Sequence, residues 1–229
     1  MTVSAVLSTA PAAVVFDCDG TLVDNESHWQ SARVHAFADF GLKAPPDFAA
    51  KAAGVHYVEC GLLMAEEAGK PELAEELTQS LLSHFTALAD AVPVVLPGAA
   101  ELVRLLSGRV PLAVASNCPA AVVEASLGRT GLLKHFDHLV VPDEDLRPKP
   151  EPDLYAKAAE LCGTEGPAAL AVEDSLTGIE AAHRAGLKVI GVGKPAPAHR
   201  GTTADWWVDG LDDPDLVTWV RSSLTDAPA

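Results

Sequence analysis

The sequence is short of positive charge, of paired cysteines and of long apolar runs. Its 229 residues carry 16 Lys and Arg against 32 Asp and Glu, a formal charge of −16. A chain this acidic repels phosphate backbones and anionic lipid surfaces, so no nucleic acid and no membrane is expected as a partner. Cys18, Cys60, Cys118 and Cys162 are its only cysteines, and none forms a CxxC pair. That spacing argues against a zinc site and a disulfide framework and makes the reducing cytoplasm the expected location. No stretch approaches the roughly 20 apolar residues needed to span a bilayer. The mildly apolar start lacks the basic residues of a signal peptide, and residues 1–11 read as a loosely held extension. No internal repeat or low-complexity tract is visible. The sequence is silent on oligomeric state, and a monomer is the default expectation.

What is present is a well-mixed globular composition, 48% hydrophobic and 21% charged, with enough length to bury a substantial core. Short apolar runs alternate with helical patterns, which predicts an α/β fold around a Rossmann-like, mostly parallel sheet. The expected strands are Ala13–Phe16, Leu112–Ala115, Leu139–Val141, Leu170–Val172, Val189–Val192 and Trp206–Val208. Helices are expected near 98–107, 119–128, 152–162 and 175–185, with Pro119 and Pro152 at first helical positions and Gly186 at a helix end. Residues 25–92 interrupt the alternation with helical signal alone. One helix is expected over Trp29–Phe40, closed by Gly41, and another from about Glu72 to Ala89 with Leu73, Leu77, Leu81, Phe85 and Leu88 on one stripe. Residues 1–24 and 93–229 therefore read as an α/β core and residues 25–92 as a smaller all-helical domain inserted into it. The Ala/Pro-rich piece Lys194–Ala198 reads as a surface loop.

Four short motifs fall at or near strand ends. Asp17-Cys18-Asp19-Gly20-Thr21 follows the first strand, and Ser116-Asn117 follows the second. Lys149 stands between prolines in Arg147-Pro148-Lys149-Pro150, its backbone restricted to extended geometry by the proline after it. Glu173-Asp174-Ser175 follows a fourth apolar run. In open α/β sheets, ligands gather outside the carboxyl ends of the strands, where these motifs would meet. Carboxylates with a backbone carbonyl make a hard oxygen cage suited to Mg²⁺. A lysine, a hydroxyl and amides at turns and helix starts suit a phosphate. Crowded aspartates are tolerable where a dication and an anionic group complete the cluster.

In this order the motifs resemble those of the haloacid dehalogenase superfamily, in its phosphatase branch with a helical cap inserted after the first motif. The resemblance covers the chain from Ala12 to about Leu216. It implies an Mg²⁺-dependent hydrolase of a small phosphate ester working through an aspartyl-phosphate. Asp17 would then be the nucleophile and Asp19 the general acid and base. Asp17, Asp174 and the Asp19 backbone carbonyl would hold Mg²⁺, with Glu173 binding directly or through water. Ser116, Asn117 and Lys149 would bind the phosphate. Asp24 reads as a turn residue at the hinge, and Cys18 and Cys118 as unreactive thiols.

Within that family Asp19 argues for phosphoryl chemistry, because the dehalogenase branch lacks an aspartate two residues after its nucleophile. Members of the β-phosphoglucomutase type carry a cap histidine twelve residues after the nucleophile and a cap arginine in a Gly-Val-x-Arg segment. Here the twelfth residue is Trp29, with His28 one step off, and the segment reads Gly54-Val55-His56-Tyr57. Residues 25–92 also hold 10 acidic against 4 basic side chains. These departures favour hydrolysis, and the run Asp24-Asn25-Glu26-Ser27-His28-Trp29 is similar to the hexose-phosphate phosphatases of this branch, which makes a small sugar phosphate the leading substrate class. A phosphomutase, a phosphoglycolate phosphatase and a non-catalytic phospho-accepting protein are the alternatives. His28 reads as a plain surface position rather than one facing the site from the cap, with Trp29 as the alternative residue to line the pocket.

Overall fold

The computed structural model describes residues 10–52, 55–91, 94–193 and 204–223. The expected loop at Lys194–Ala198, the first nine residues of the expected extension, Gly54 and the junction at Val92-Pro93 lie outside the described residues. Six parallel strands, β1 (Ala13–Phe16), β2 (Leu112–Ala115), β3 (His138–Val140), β4 (Ala169–Glu173), β5 (Lys188–Val192) and β6 (Trp206–Val208), form one sheet in the order β3-β2-β1-β4-β5-β6. β1 lies between β2 and β4, where the chain order reverses. That is the switch point at which an open α/β sheet leaves a crevice.

The side-chain period of two sends β1 to both faces of the sheet. Val14 and Phe16 join one apolar cluster with Leu112, Val114, Leu170 and Val172. Val15 joins the other, with Ala113, Ala115, Ala171, Val189 and Tyr155. The second face is lined by small residues, and it receives Ala158 and Ala159 of one helix (Asp153–Leu161) and Ala181 and Ala182 of another (Leu176–Arg184). Alanine against alanine lets these helices approach the sheet closely and fixes the loops that carry Lys149 and Asp174.

Between β1 and β2 the described chain contains the helices α1 (Glu26–Asp39), α2 (Tyr57–Glu67), α3 (Ala74–Ala91) and α4 (Ala99–Leu106), plus a single turn at Phe48–Lys51. α1 buries Ala32, Ala36 and Phe37, and α3 buries Leu77, Leu81 and Phe85 along the expected stripe. α2 meets α3 so closely at Gly61 that any Cβ there would strike Thr78. Trp29 of α1 stacks on Phe85 of α3, ring centroids 3.5 Å apart and ring planes nearly parallel. The two crossings between the sheet and the helical segment lie side by side. Asp24 N–H donates to Val94 O at 2.8 Å, and Leu96 N–H to Leu22 O at 3.0 Å, with Val23 and Val95 bridged antiparallel.

Several boundaries differ from the sequence reading, β3, β4 and β5 by one residue at one or both ends and the helices as follows. α1 begins at Glu26 rather than Trp29, its N-cap Asn25 having a side chain used elsewhere. Pro119 and Pro152 stand at N-cap positions, one residue before the helices they start. The long helix begins at Ala74, after a tighter turn at Pro71–Leu73. Gly41 closes α1 as expected, with φ of 68°.

Candidate active site

Each of three adjacent strands delivers a polar side chain at its carboxyl end. Asp17 is the first residue beyond β1, and its N–H still donates to Val172 O of β4 at 2.9 Å. Ser116 is the first beyond β2, held the same way to Val140 O at 3.0 Å. Glu173 ends β4 and Asp174 follows it. The strand registers set Phe16 level with both Val114 and Val172, so these groups emerge at one height. Lys149 arrives from the loop beyond β3. Asn117 clamps that loop from both sides, donating to Lys149 O at 3.2 Å and accepting from Lys149 N–H at 2.8 Å.

The lysine is 3% exposed, and its Nζ donates to Asp17 Oδ1 at 2.6 Å and to Glu173 Oε2 at 2.8 Å. Glu173 is saturated. Its Oε2 also accepts from Tyr155 OH at 2.6 Å, and its Oε1 from the N–H and Oγ of Ser175 at 3.0 and 2.8 Å. Asp174 accepts from Thr21 Oγ at 3.2 Å. Gly20, at φ of 92°, and Gly178 leave room for these acids, because a Cβ at either would strike the Asp174 or Glu173 carboxylate respectively. All expected residues of the cluster converge.

Oxygens of Asp17, Glu173 and Asp174 lie within 4.8 Å of one another, with the single ammonium of Lys149 among them. The electrostatics follow from that imbalance. Burial, then Glu173, pushes the Asp17 carboxyl up to about 8 against the pull of Lys149. Burial followed by Glu173 and Asp17 pushes Asp174 well up too. Burial works against the charge of Lys149, but Asp17 and Glu173 outweigh it and hold the ammonium firmly protonated. Glu173 likewise overcomes its burial through Lys149 and stays below the usual carboxylate range. Buried carboxylates that would rather take up protons form a site lacking positive charge, and hard oxygen donors fit a small divalent cation.

Asp19 stands at the rim of this cluster with both oxygens engaged. Asn25 Nδ2 donates to Oδ1 at 2.6 Å and Cys118 Sγ to Oδ2 at 2.6 Å. Burial pushes the Cys18 and Cys118 thiols well up, so both remain protonated. A cavity of about 90 Å³ lies between the cluster and the helical segment. Trp29 lines it; His28 does not, and instead places Nδ1 3.3 Å from Asn25 Oδ1.

Tyr155, Arg33 and His56 are the site residues that sequence reasoning missed. Tyr155 sits on the helix that follows the Lys149 motif, two residues after its first member. Arg33 is the lone arginine of residues 25–92, and that isolation was its available signal.

The haloacid dehalogenase-like hydrolase model matches residues 14–192. Over 96% of its length the chain is 30% identical to a bifunctional riboflavin kinase/FMN phosphatase of Arabidopsis thaliana, of which it spans only 58%. It is 28% identical to the fructose-1-phosphate phosphatase YqaB of Escherichia coli, with 79% of this chain and 96% of that protein aligned. A β-phosphoglucomutase from Clostridium difficile shares its fold at a TM-score of 0.81, covering 95% of this chain and 98% of the other at 19% identity. Together with the strand-end cluster, the match of the family model across most of the chain shows that this protein belongs to the haloacid dehalogenase-like hydrolases.

Proposed function

We propose that this phosphoric monoester hydrolase cleaves a small sugar phosphate through a phosphorylated Asp17, with Mg²⁺ as cofactor. Asp17, Asp174 and the Asp19 carbonyl would hold the ion. Glu173, whose oxygens are already bonded to Lys149, Tyr155 and Ser175, would reach it through water. Bound there, the cation supplies charge neutralisation for the phosphoryl oxygens.

An Asp17 oxygen attacks phosphorus while the ester P–O bond breaks, and Asp19 gives its proton to the departing alkoxide. Asp19 then takes a proton from water, whose oxygen attacks the aspartyl-phosphate. Inorganic phosphate leaves and Asp17 is restored. Lys149 and the Ser116 hydroxyl, which is buried and already accepts from Cys118 N–H at 3.1 Å, hold the phosphoryl oxygens. Asn117 has spent its side chain on the Lys149 backbone, so its part is to fix that loop and offer its own N–H.

Residues 25–92 act as a cap over a core of residues 1–24 and 93–229. The cavity has room for about three waters, so substrate entry requires the cap to lift. Exclusion of bulk water on closure protects the acyl phosphate. The proposed setting is the cytoplasm, with the enzyme acting as a monomer.

One observation carries this reading: Lys149 bridges Asp17 and Glu173 at the ends of neighbouring strands, with Asp174 alongside. The test is phosphate release with Mg²⁺ across sugar phosphates, phosphoglycolate and nucleotides. Asp17→Asn is expected to remove turnover of every ester the parent cleaves, by at least about 10³-fold. Equal activity in that variant would eliminate the nucleophile.

A further inference from the structure

The cap side of the cavity contains one buried cation, and its pairing is incomplete. Arg33 is 4% exposed and lines the cavity. Its Nη1 donates to Glu26 Oε1 at 3.2 Å and its Nη2 to Ala52 O at 3.1 Å, the buried Cys60 thiol lies beside the guanidinium, and Nε makes no hydrogen bond of good geometry. A buried guanidinium with an unmet donor is costly unless a ligand supplies an acceptor. Its partner Glu26 is half-exposed and also lines the cavity. Glu26 takes its other described hydrogen bond, from Gln30, on the same oxygen, so Oε2 is open to a donor.

The rest of this wall is uncharged. Trp29 is fixed by its stack on Phe85, with the Arg33 guanidinium 6.0 Å from its ring. His56, held by burial at about 4, is neutral in the physiological range, and Val55 and Tyr57 complete the surface. The two ends of the cavity therefore differ in character. The core end is built around an ammonium and a candidate cation site. The cap end carries one positive and one negative side chain bonded to each other, so its charge is zero.

We propose that Arg33 and Glu26 form the subsite for the leaving group, and that it selects an uncharged polyhydroxylated one. Hydroxyl oxygens accept from Arg33, hydroxyl hydrogens go to Glu26, and apolar C–H faces lie against Trp29. A carboxylate or second phosphate at this end would meet Glu26 and find the guanidinium already neutralised. This pairing also weighs against a mutase, which must grip a second phosphate. The inference rests on the hydrolase reading and adds the substrate class to it.

Two linear six-carbon esters supply the test. Sorbitol 6-phosphate and 6-phosphogluconate differ only in a terminal hydroxymethyl group against a carboxylate, and p-nitrophenyl phosphate lacks hydroxyls altogether. The parent enzyme is expected to favour sorbitol 6-phosphate over 6-phosphogluconate in kcat/KM by about tenfold or more. Arg33→Met should lower the ratio of sorbitol 6-phosphate to p-nitrophenyl phosphate by about 10- to 100-fold. Glu26→Gln alters a half-exposed side chain and should preserve the fold even if Arg33→Met does not. It keeps a hydrogen-bonding amide but uncovers the positive charge, so it should shift selectivity toward 6-phosphogluconate by about tenfold. Unchanged selectivity in Glu26→Gln, or a parent that prefers 6-phosphogluconate, would overturn the subsite while leaving the hydrolase intact. A parent that releases phosphate from none of the three esters would overturn the hydrolase reading and this inference with it.

Discussion

Replacing Lys149 with Met keeps most of the side-chain volume and removes the ammonium set among Asp17, Glu173 and Asp174, the only one there among the described residues. The ammonium lies 2.6 Å from Asp17 and 2.8 Å from Glu173. At an effective dielectric near 20, each attraction is about 6 kcal/mol, and the cost of burying the charges offsets most of it. The net penalty for breaking such a buried pair is about 3–5 kcal/mol. For a chain of this size that lowers the melting temperature by roughly 6–20 °C. The penalty has a pH signature. Without the ammonium, Asp17 and Glu173 hold protons in the folded state at pH values where the unfolded chain has released them, so stability falls as pH rises. Metal-free urea denaturation, followed by circular dichroism at pH 5 and pH 8, should show the gap between parent and variant widening at pH 8. Phosphate release should fall by at least about 10²-fold, the cost of losing one donor to the reacting oxygens. A gap below about 1 kcal/mol at pH 8, the size expected of a surface pair, or a gap that narrows with rising pH, would refute the account of Lys149 as the keystone of the cluster.

Three further outcomes follow from other contacts. Gly178→Ala drives a methyl into the Glu173 carboxylate, which four hydrogen bonds hold in place, and should cost about 1–3 kcal/mol; Gly108→Ala meets open space and should cost only the roughly 1 kcal/mol of its left-handed backbone, as denaturation would show. His56 is held at about 4 from its ordinary 6.5, so the unfolded chain binds the extra proton between these values and stability is lost as pH falls through them. Because the ring lines a cavity, its share is about 1–2 kcal/mol after discounting for solvent, and His56→Leu should flatten the pH 6.5-to-4 decline by that amount. Mg²⁺ at about 100 times its dissociation constant should stabilise the parent by about 3 kcal/mol and Asp174→Asn by much less; equal shifts in thermal melts would place the ion elsewhere.

The strands were legible almost to the residue because a buried parallel strand reads as a short unbroken apolar run between turn signals. Ala13–Phe16, Leu112–Ala115 and Trp206–Val208 match the structure without adjustment. The cluster was legible for a related reason. Residues that follow a strand directly must emerge at its end, so Asp17, Ser116 and Asp174 had their place fixed by the strands before them. Arg33, His56 and Tyr155 come from helices or helix starts, and the rotation of a helix about its axis depends on what it packs against. Arg33 interrupts an apolar stripe that reads equally well as core. The start of α1 was misplaced because Asn25 gives its side chain to Asp19 instead of capping the helix. α2 was not singled out, since its close approach to α3 depends on Gly61, a residue that lowers helical signal.

For the proposed cap of residues 25–92, the paired crossings at Val23 and Val95 constrain the direction of travel. Two independent tethers would let the helices swivel and slide over the sheet. Tethers laced to each other by backbone hydrogen bonds behave as one ribbon, which flexes across its flat face far more readily than it shears. If residues 25–92 move as the proposed cap, such a ribbon would return Trp29 and Arg33 to the same place above Asp17 at each closure, as a door on a strap hinge meets the same latch.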